Sequence, residues 1–122
     1  MKRLWTSGRH AWRGMRVAFV SEPNLRIQIA VTVLVLLLAS ALSVKPWEFI
    51  LLLLLCAAVI TLELFNTVIE RMADGLSPRL KPIIRDVKDI MASAVLLVSF
   101  VAVIVGVIIF VPYLLRLFGI SP

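Results

Sequence analysis

Glu63-Leu-Phe-Asn66-Thr-Val-Ile-Glu70-Arg-Met-Ala-Asp74 carries two glutamates, an asparagine and an aspartate at the end of an otherwise hydrocarbon-like segment. At 100° per residue, Glu63, Asn66, Glu70 and Asp74 fall within roughly 80° of one another, so one helix face holds all four. From Glu63 to Glu70 the helix rises about 10 Å, and the stripe starts inside a bilayer and climbs out of it. An ionised group at membrane depth costs about 2.5–3.5 kcal/mol on insertion scales and usually marks a functional site. A lone intramembrane carboxylate reads as helix glue or a proton site. Four polar groups in register, emerging on one side only, ask for a ligand.

Nucleotide phosphates with Mg²⁺ suit such a stripe. The metal takes one or two carboxylates plus phosphate oxygens, and lysine or arginine neutralises the charge being transferred. A carboxylate set deeper is placed to take the proton of a lipid hydroxyl. Glu63 has the deep position, while Glu70 and Glu22 have the metal-friendly one. There is no Gly-x-x-x-x-Gly-Lys and no glycine-rich kinase loop, so a phosphate site here is of another kind.

The elements that must position these residues follow from composition. The chain has 122 residues, 61% of them hydrophobic and 16% charged, with a net charge of +6. Mean hydropathy is +1.05. A soluble domain of this size could not hide so much apolar surface, which makes the chain an all-α integral membrane protein with a single domain, 1–122. The basic residues match membrane topology and phosphate attraction, and no soluble basic domain exists to bind nucleic acid. The single Cys56 lies among apolar residues and reads as a small core hydrophobe.

Residues 1–20 read as an amphipathic helix on the membrane surface. Lys2, Arg3, Arg9, Arg13 and Arg16 meet no acidic residue before Glu22, and Leu4, Trp5, Trp12, Met15 and Phe19 supply an apolar side. The positive region runs too long for a signal peptide. Ser21-Glu22-Pro23-Asn24 is a break, with Pro23 suited to the first turn of the next helix and Glu22 to its N-terminal cap. Membrane spans are expected at 27–44, 49–70 and 90–115. Lys45-Pro46-Trp47-Glu48 is read as the tight turn at the far surface. Residues 71–89 form a loop and helix start, with the helix opening at Pro82, and Pro112 is expected to kink the last span. Lys and Arg are rich in the N-terminal zone and the 71–88 loop, which puts both in the cytoplasm and the C-terminus outside. Glu22, Glu63, Asn66, Glu70, Asp74, Lys88 and Asp89 then share the cytoplasmic half. A channel or carrier would need polar groups continuing across the membrane.

The run Glu63-Leu-Phe-Asn66-Thr-Val-Ile-Glu70-x-x-x-Asp74, with Lys88-Asp89 fourteen residues on, resembles the signature of the small bacterial diacylglycerol kinase/undecaprenol kinase family. Trp12-Arg-Gly14 and Ser21-Glu22-x-Asn24-x-Arg26 are similar to that family's N-terminal pattern. The resemblance implies a homotrimeric bundle in the bacterial inner membrane that moves the γ-phosphate of ATP, with Mg²⁺, to a membrane lipid alcohol. It implies Glu63 as general base with Asn66 positioning beside it, and Glu22 and Glu70 as Mg²⁺ ligands. Lys88 is the implied phosphate contact, Asp89 and Asp74 organise the nucleotide site, and Arg3 and His10 align more loosely with nucleotide contacts. Arg26 falls at the lipid entrance. Gln28 departs from a carboxylate present in some members, so no role needing charge carries over to it. The 77–81 loop also diverges, and adenine contacts do not carry over there. Gln28 and the Gly106–Pro112 ending look more like the undecaprenol kinase branch, which favours undecaprenol over diacylglycerol as substrate. The alternative from a different class is a small oligomeric proton-linked transporter or regulatory subunit, with Glu63 carrying protons.

Overall fold

A computed structural model describes residues 2–75 and 81–120, with side chains from Leu4 to Gly75 and from Pro82 onward. The described residues form four helices: α1 (Lys2–Ser21), α2 (Pro23–Ala41), α3 (Pro46–Asp74) and α4 (Lys81–Leu117). The last three are each long and apolar enough to cross a membrane. At 1.5 Å per residue, α3 with its 29 residues is about 43 Å long and α4 with its 37 residues about 55 Å. Both exceed a hydrocarbon core of about 30 Å, so each projects beyond it.

The α1–α2 break is a single residue. Glu22 is extended (φ −108°, ψ 106°), and Pro23 opens α2, where its missing N–H is no loss. The Glu22 side chain does not cap α2; it accepts a hydrogen bond from Ser21 Oγ at 3.1 Å instead. Ala18 and Leu25, both buried, pack on the two sides of the break.

The far turn lies earlier than the sequence suggests. α2 closes with Ser43 N–H donating to the Ser40 carbonyl (3.1 Å) and Val44 N–H to the Ala39 carbonyl (3.2 Å). Ser43 takes the left-handed conformation that this paired closure needs (φ 51°), a position where glycine is commoner. Pro46, Trp47 and Glu48 then belong to the first turn of α3, where Glu48 Oε2 accepts from the Lys45 N–H at 2.9 Å. At the other end of the chain, Gly119 (φ 71°) ends α4 in the same way. Pro112 sits inside α4, and the helix continues past it to Leu117.

Packing joins α2 to α3 and α3 to α4. Ala39, Leu52 and Ile109 form the buried core, with Phe49, Phe110 and Tyr113 around it. Few other side chains are buried among the described residues, and large apolar ones such as Leu34, Leu54, Leu96 and Phe100 stand exposed. A chain that leaves this much hydrocarbon uncovered is solvated by lipid or by other chains. Some helix hydroxyls bond back to their own helix: Ser40 donates to the Leu36 carbonyl and Thr67 to the Glu63 carbonyl.

Candidate functional site

Counting rise from Pro46 gives the depth of the stripe. Glu63 lies about 26 Å along α3, inside a 30 Å core, and Glu70 about 36 Å along, beyond it. Glu63 is 4% exposed, a rare burial for a carboxylate and one that requires a partner. The partner is Gln28, whose Nε2 donates to Glu63 Oε2 at 3.2 Å. Gln28 Oε1 is buried and has no partner among the described residues. Thr67, one turn on, is also buried.

Below this pair lies an apolar groove of about 330 Å³ between α2, α3 and α4. Ile27, Gln28 and Val59 form one end of it, Ser99 and Gly106 line its α4 side, and Phe110 lies toward the other end. Glu63 is one helical turn beyond Val59, so the Gln28–Glu63 pair stands at the head of a hydrocarbon slot.

Nearer the surface, Lys88 Nζ on α4 approaches Glu70 Oε1 on α3 at 3.7 Å, with both side chains partly exposed. An exposed pair at this distance contributes about 0–1 kcal/mol, so either member can exchange its partner for a ligand at little cost. Beside it, Arg71 Nη2 donates to Ser21 Oγ at 2.9 Å, and Ser21 Oγ lies 3.1 Å from Glu22 Oε1. Through Ser21, the break that carries Glu22 is tied to the helix that carries Glu70.

Of the residues singled out in the sequence, Glu63, Glu70, Lys88 and Glu22 therefore meet partners at one end of the bundle. Asn66 is half-buried on the same face and makes no side-chain hydrogen bond among the described residues. Asp74, Asp89, His10 and Arg26 are exposed, and the Asp89 carbonyl accepts from Ser93 Oγ. The Arg3 side chain and the 77–80 segment lie outside the described residues, as does the Lys81 side chain. Within one chain, no three of His, Cys, Asp and Glu come together among the described residues. Glu22 and Glu70 each carry hard carboxylate oxygens, the donor type Mg²⁺ takes from protein when phosphates and water supply the rest.

Three participants escaped the sequence reading: Gln28 as the partner of Glu63, and the Ser21–Arg71 tie. The signal for Gln28 was present. It is the first polar residue of one apolar span and Glu63 the last deep one of the next, and antiparallel neighbours bring those ends together.

The prokaryotic diacylglycerol kinase family matches residues 9–110. A diacylglycerol kinase of Synechocystis is 36% identical over 115 residues, 93% of this chain and 66% of that protein. An undecaprenol kinase of Bacillus subtilis is 30% identical over 114 residues, 93% of each chain. A diacylglycerol kinase of Escherichia coli K12 is 28% identical over 102 residues, 84% of each.

Proposed function

Because the chain belongs to the prokaryotic diacylglycerol kinase family of lipid kinases, we propose that it transfers the γ-phosphate of ATP to the hydroxyl of a membrane lipid alcohol at the cytoplasmic face of the inner membrane. The observation that carries this reading is the buried Glu63, held by Gln28 at the head of an apolar groove, with the Glu70–Lys88 pair about 10 Å further along α3. A lipid lies with its tail in hydrocarbon and its hydroxyl at the polar boundary, and the groove and Glu63 match those two parts. The nucleotide arrives from water, where Glu70 and Lys88 stand partly exposed.

The chain's residues divide the work by depth. Glu63 accepts the hydroxyl proton as the oxygen attacks phosphorus, with Asn66 one turn away on the same face to orient the reacting groups. Lys88 leaves Glu70 and faces the transferring phosphoryl group, placing positive charge where negative charge develops. Glu22 and Glu70 would hold Mg²⁺, which would supply positive charge to neutralise the nucleotide's phosphates. Asp74 and Asp89, with Arg3 and His10 from α1, form the outer nucleotide-facing set, and Arg26 stands where the lipid enters. In this reading α1 lies on the membrane surface and three chains assemble around shared sites.

Undecaprenol is the favoured alcohol over diacylglycerol. Among the described residues the groove is lined almost wholly by hydrocarbon, with hydroxyls at Thr32 and Ser99, and offers little to read the ester carbonyls of a diacylglycerol. The test is purified protein in bilayers with labelled ATP, offered undecaprenol or diacylglycerol separately, with and without Mg²⁺. Label is expected in lipid only when Mg²⁺ is present, and in undecaprenol preferentially. Failure to label any lipid alcohol would overturn the kinase reading, and preferential labelling of diacylglycerol would overturn the choice of substrate.

A further inference from the structure

Glu63 is gripped from one side. Gln28 Nε2 donates to its Oε2, while Gln28 Oε1 is buried without a donor. Neither Thr32 nor Ser99, the hydroxyls lining the same groove, donates to it. A buried amide oxygen in that state is unusual and needs a reason.

The reason lies in what a carboxyl group offers in its two forms. Ionised, it only accepts, so the amide must face it with NH₂ and turn its carbonyl away. Protonated, it gains an O–H donor. The terminal torsion of glutamine is broad and roughly two-fold, so the amide can turn over within much the same space. We propose that Gln28 is a two-setting positioning residue for the base: Nε2 holds ionised Glu63 before transfer, and after transfer the amide turns so that Oε1 accepts the new Glu63 O–H.

The inference rests on the lipid-kinase reading, and the proton balance follows from it. The alcohol O–H bond breaks and a Glu63 O–H bond forms, while the alcohol oxygen bonds to the γ-phosphorus. The bond from that phosphorus to the bridging oxygen breaks, and ADP departs with the electron pair. Glu63 then releases its proton to water as the products leave, and the amide turns back. Its unpartnered oxygen is the acceptor the protonated base will need.

Other charges sit elsewhere. On α2, Arg26 is exposed and Glu22 accepts from Ser21; on α3, Cys56 and Glu70 are each two turns from Glu63. On α4, Lys88 is drawn to Glu70 and Asp89 is exposed, and no ion pair reaches Glu63 among the described residues.

The experiment compares the parent, Gln28→Leu and Gln28→Glu in bilayers, measuring kcat and both KM values across pH. Gln28→Leu is expected to lower kcat about ten- to a hundredfold, the range for losing a hydrogen bond to a charged group, with the KM for Mg·ATP unchanged. Gln28→Glu places a second carboxyl beside the first, and the pair shares one proton over an intermediate pH range. There the protonated side chain donates as the amide did, so activity is kept; it falls again as that proton is lost. A profile that rises with pH in the parent therefore becomes a bell. A residue that merely filled space would scale the profile without reshaping it. A Leu variant within twofold of parental kcat, or a Glu variant with the parental pH profile, overturns the proposal. If the Leu variant fails to fold, the Glu profile decides alone. A parent that phosphorylates no lipid sinks the kinase reading and this one together, whereas an active parent with an unaffected Leu variant sinks only this one.

Discussion

Glu63 and Glu70 share a helix face, yet their surroundings differ enough that they should fail in different ways. Glu63 is buried against a neutral amide and the head of a hydrocarbon groove; Glu70 is partly exposed and faces a lysine. Glu63→Gln keeps size and hydrogen bonding but removes basicity, so kcat should collapse by at least about a hundredfold while the KM for Mg·ATP stays near parental. Glu70→Gln removes a charged ligand and the partner of Lys88, so the KM for Mg·ATP should rise along with the loss of turnover. Steady-state kinetics with saturating lipid separates the two, and loss of nucleotide affinity at near-normal turnover in Glu63→Gln would show that Glu63 is not the base. The stripe itself was legible in the sequence, because a 100° repeat puts four polar residues on one face whatever they pack against. The Gln28–Glu63 bond was legible only in part: antiparallel spans bring those two polar residues to one end, but the contact itself depends on the register of a hairpin whose residues are 35 positions apart. A neutral amide serves an isolated carboxylate as a donor, which a second carboxylate does only while protonated.

Among the elements, the three apolar helices could be read from length and hydrocarbon content, but their ends could not. Membrane spans end where hydrophobicity ends, whereas helices end where backbone groups find other partners. α3 and α4 therefore run beyond the apolar stretches and carry Glu70 and Lys88 out on projecting turns. The far turn shifted for a related reason: Pro46 is a favoured first helical residue, so the reversal fell on Leu42–Lys45 instead of on the proline. That end is closed by a contact no periodicity announces. Tyr113 Oη donates to Glu48 Oε2 at 2.6 Å, and the Lys45 N–H reaches the same carboxylate oxygen at 2.9 Å. The cluster ties the α2–α3 turn to α4 about 22 Å along α3 from Glu63. Tyr113→Phe removes the hydroxyl and leaves the ring, so the melting temperature in detergent should fall by a few degrees while lipid phosphorylation at the parental optimum is unchanged. A loss of activity that precedes unfolding would show that the outer clamp sets the geometry of the inner site.

At the scale of the whole molecule, the proposed sites are shared between chains. Glu63 with Gln28 and Glu70 with Lys88 are each assembled within one chain, yet no three of His, Cys, Asp and Glu come together among the described residues, and the apolar helix faces are left bare. The proposed topology, read from the distribution of basic residues, has the N-terminus in the cytoplasm and the C-terminus across the membrane. A C-terminal reporter that works only in the cytoplasm should therefore be silent, and its activity would invert the topology and move the site away from ATP. Assembly around shared sites makes a sharper demand. If the deep pair of one protomer serves the surface pair of its neighbour, chains carrying Glu63→Gln and chains carrying Glu70→Gln are each inactive alone but complement when mixed. At equal mixing before assembly, roughly a quarter of the parental activity should return, the chance that adjacent protomers supply the two intact residues in the right order. A site built within one protomer predicts no recovery, because every chain then lacks one of its two carboxylates. The measured fraction thus distinguishes a shared site from a self-contained one, and dilution into monomers should abolish the recovered activity if the interface is what restores it.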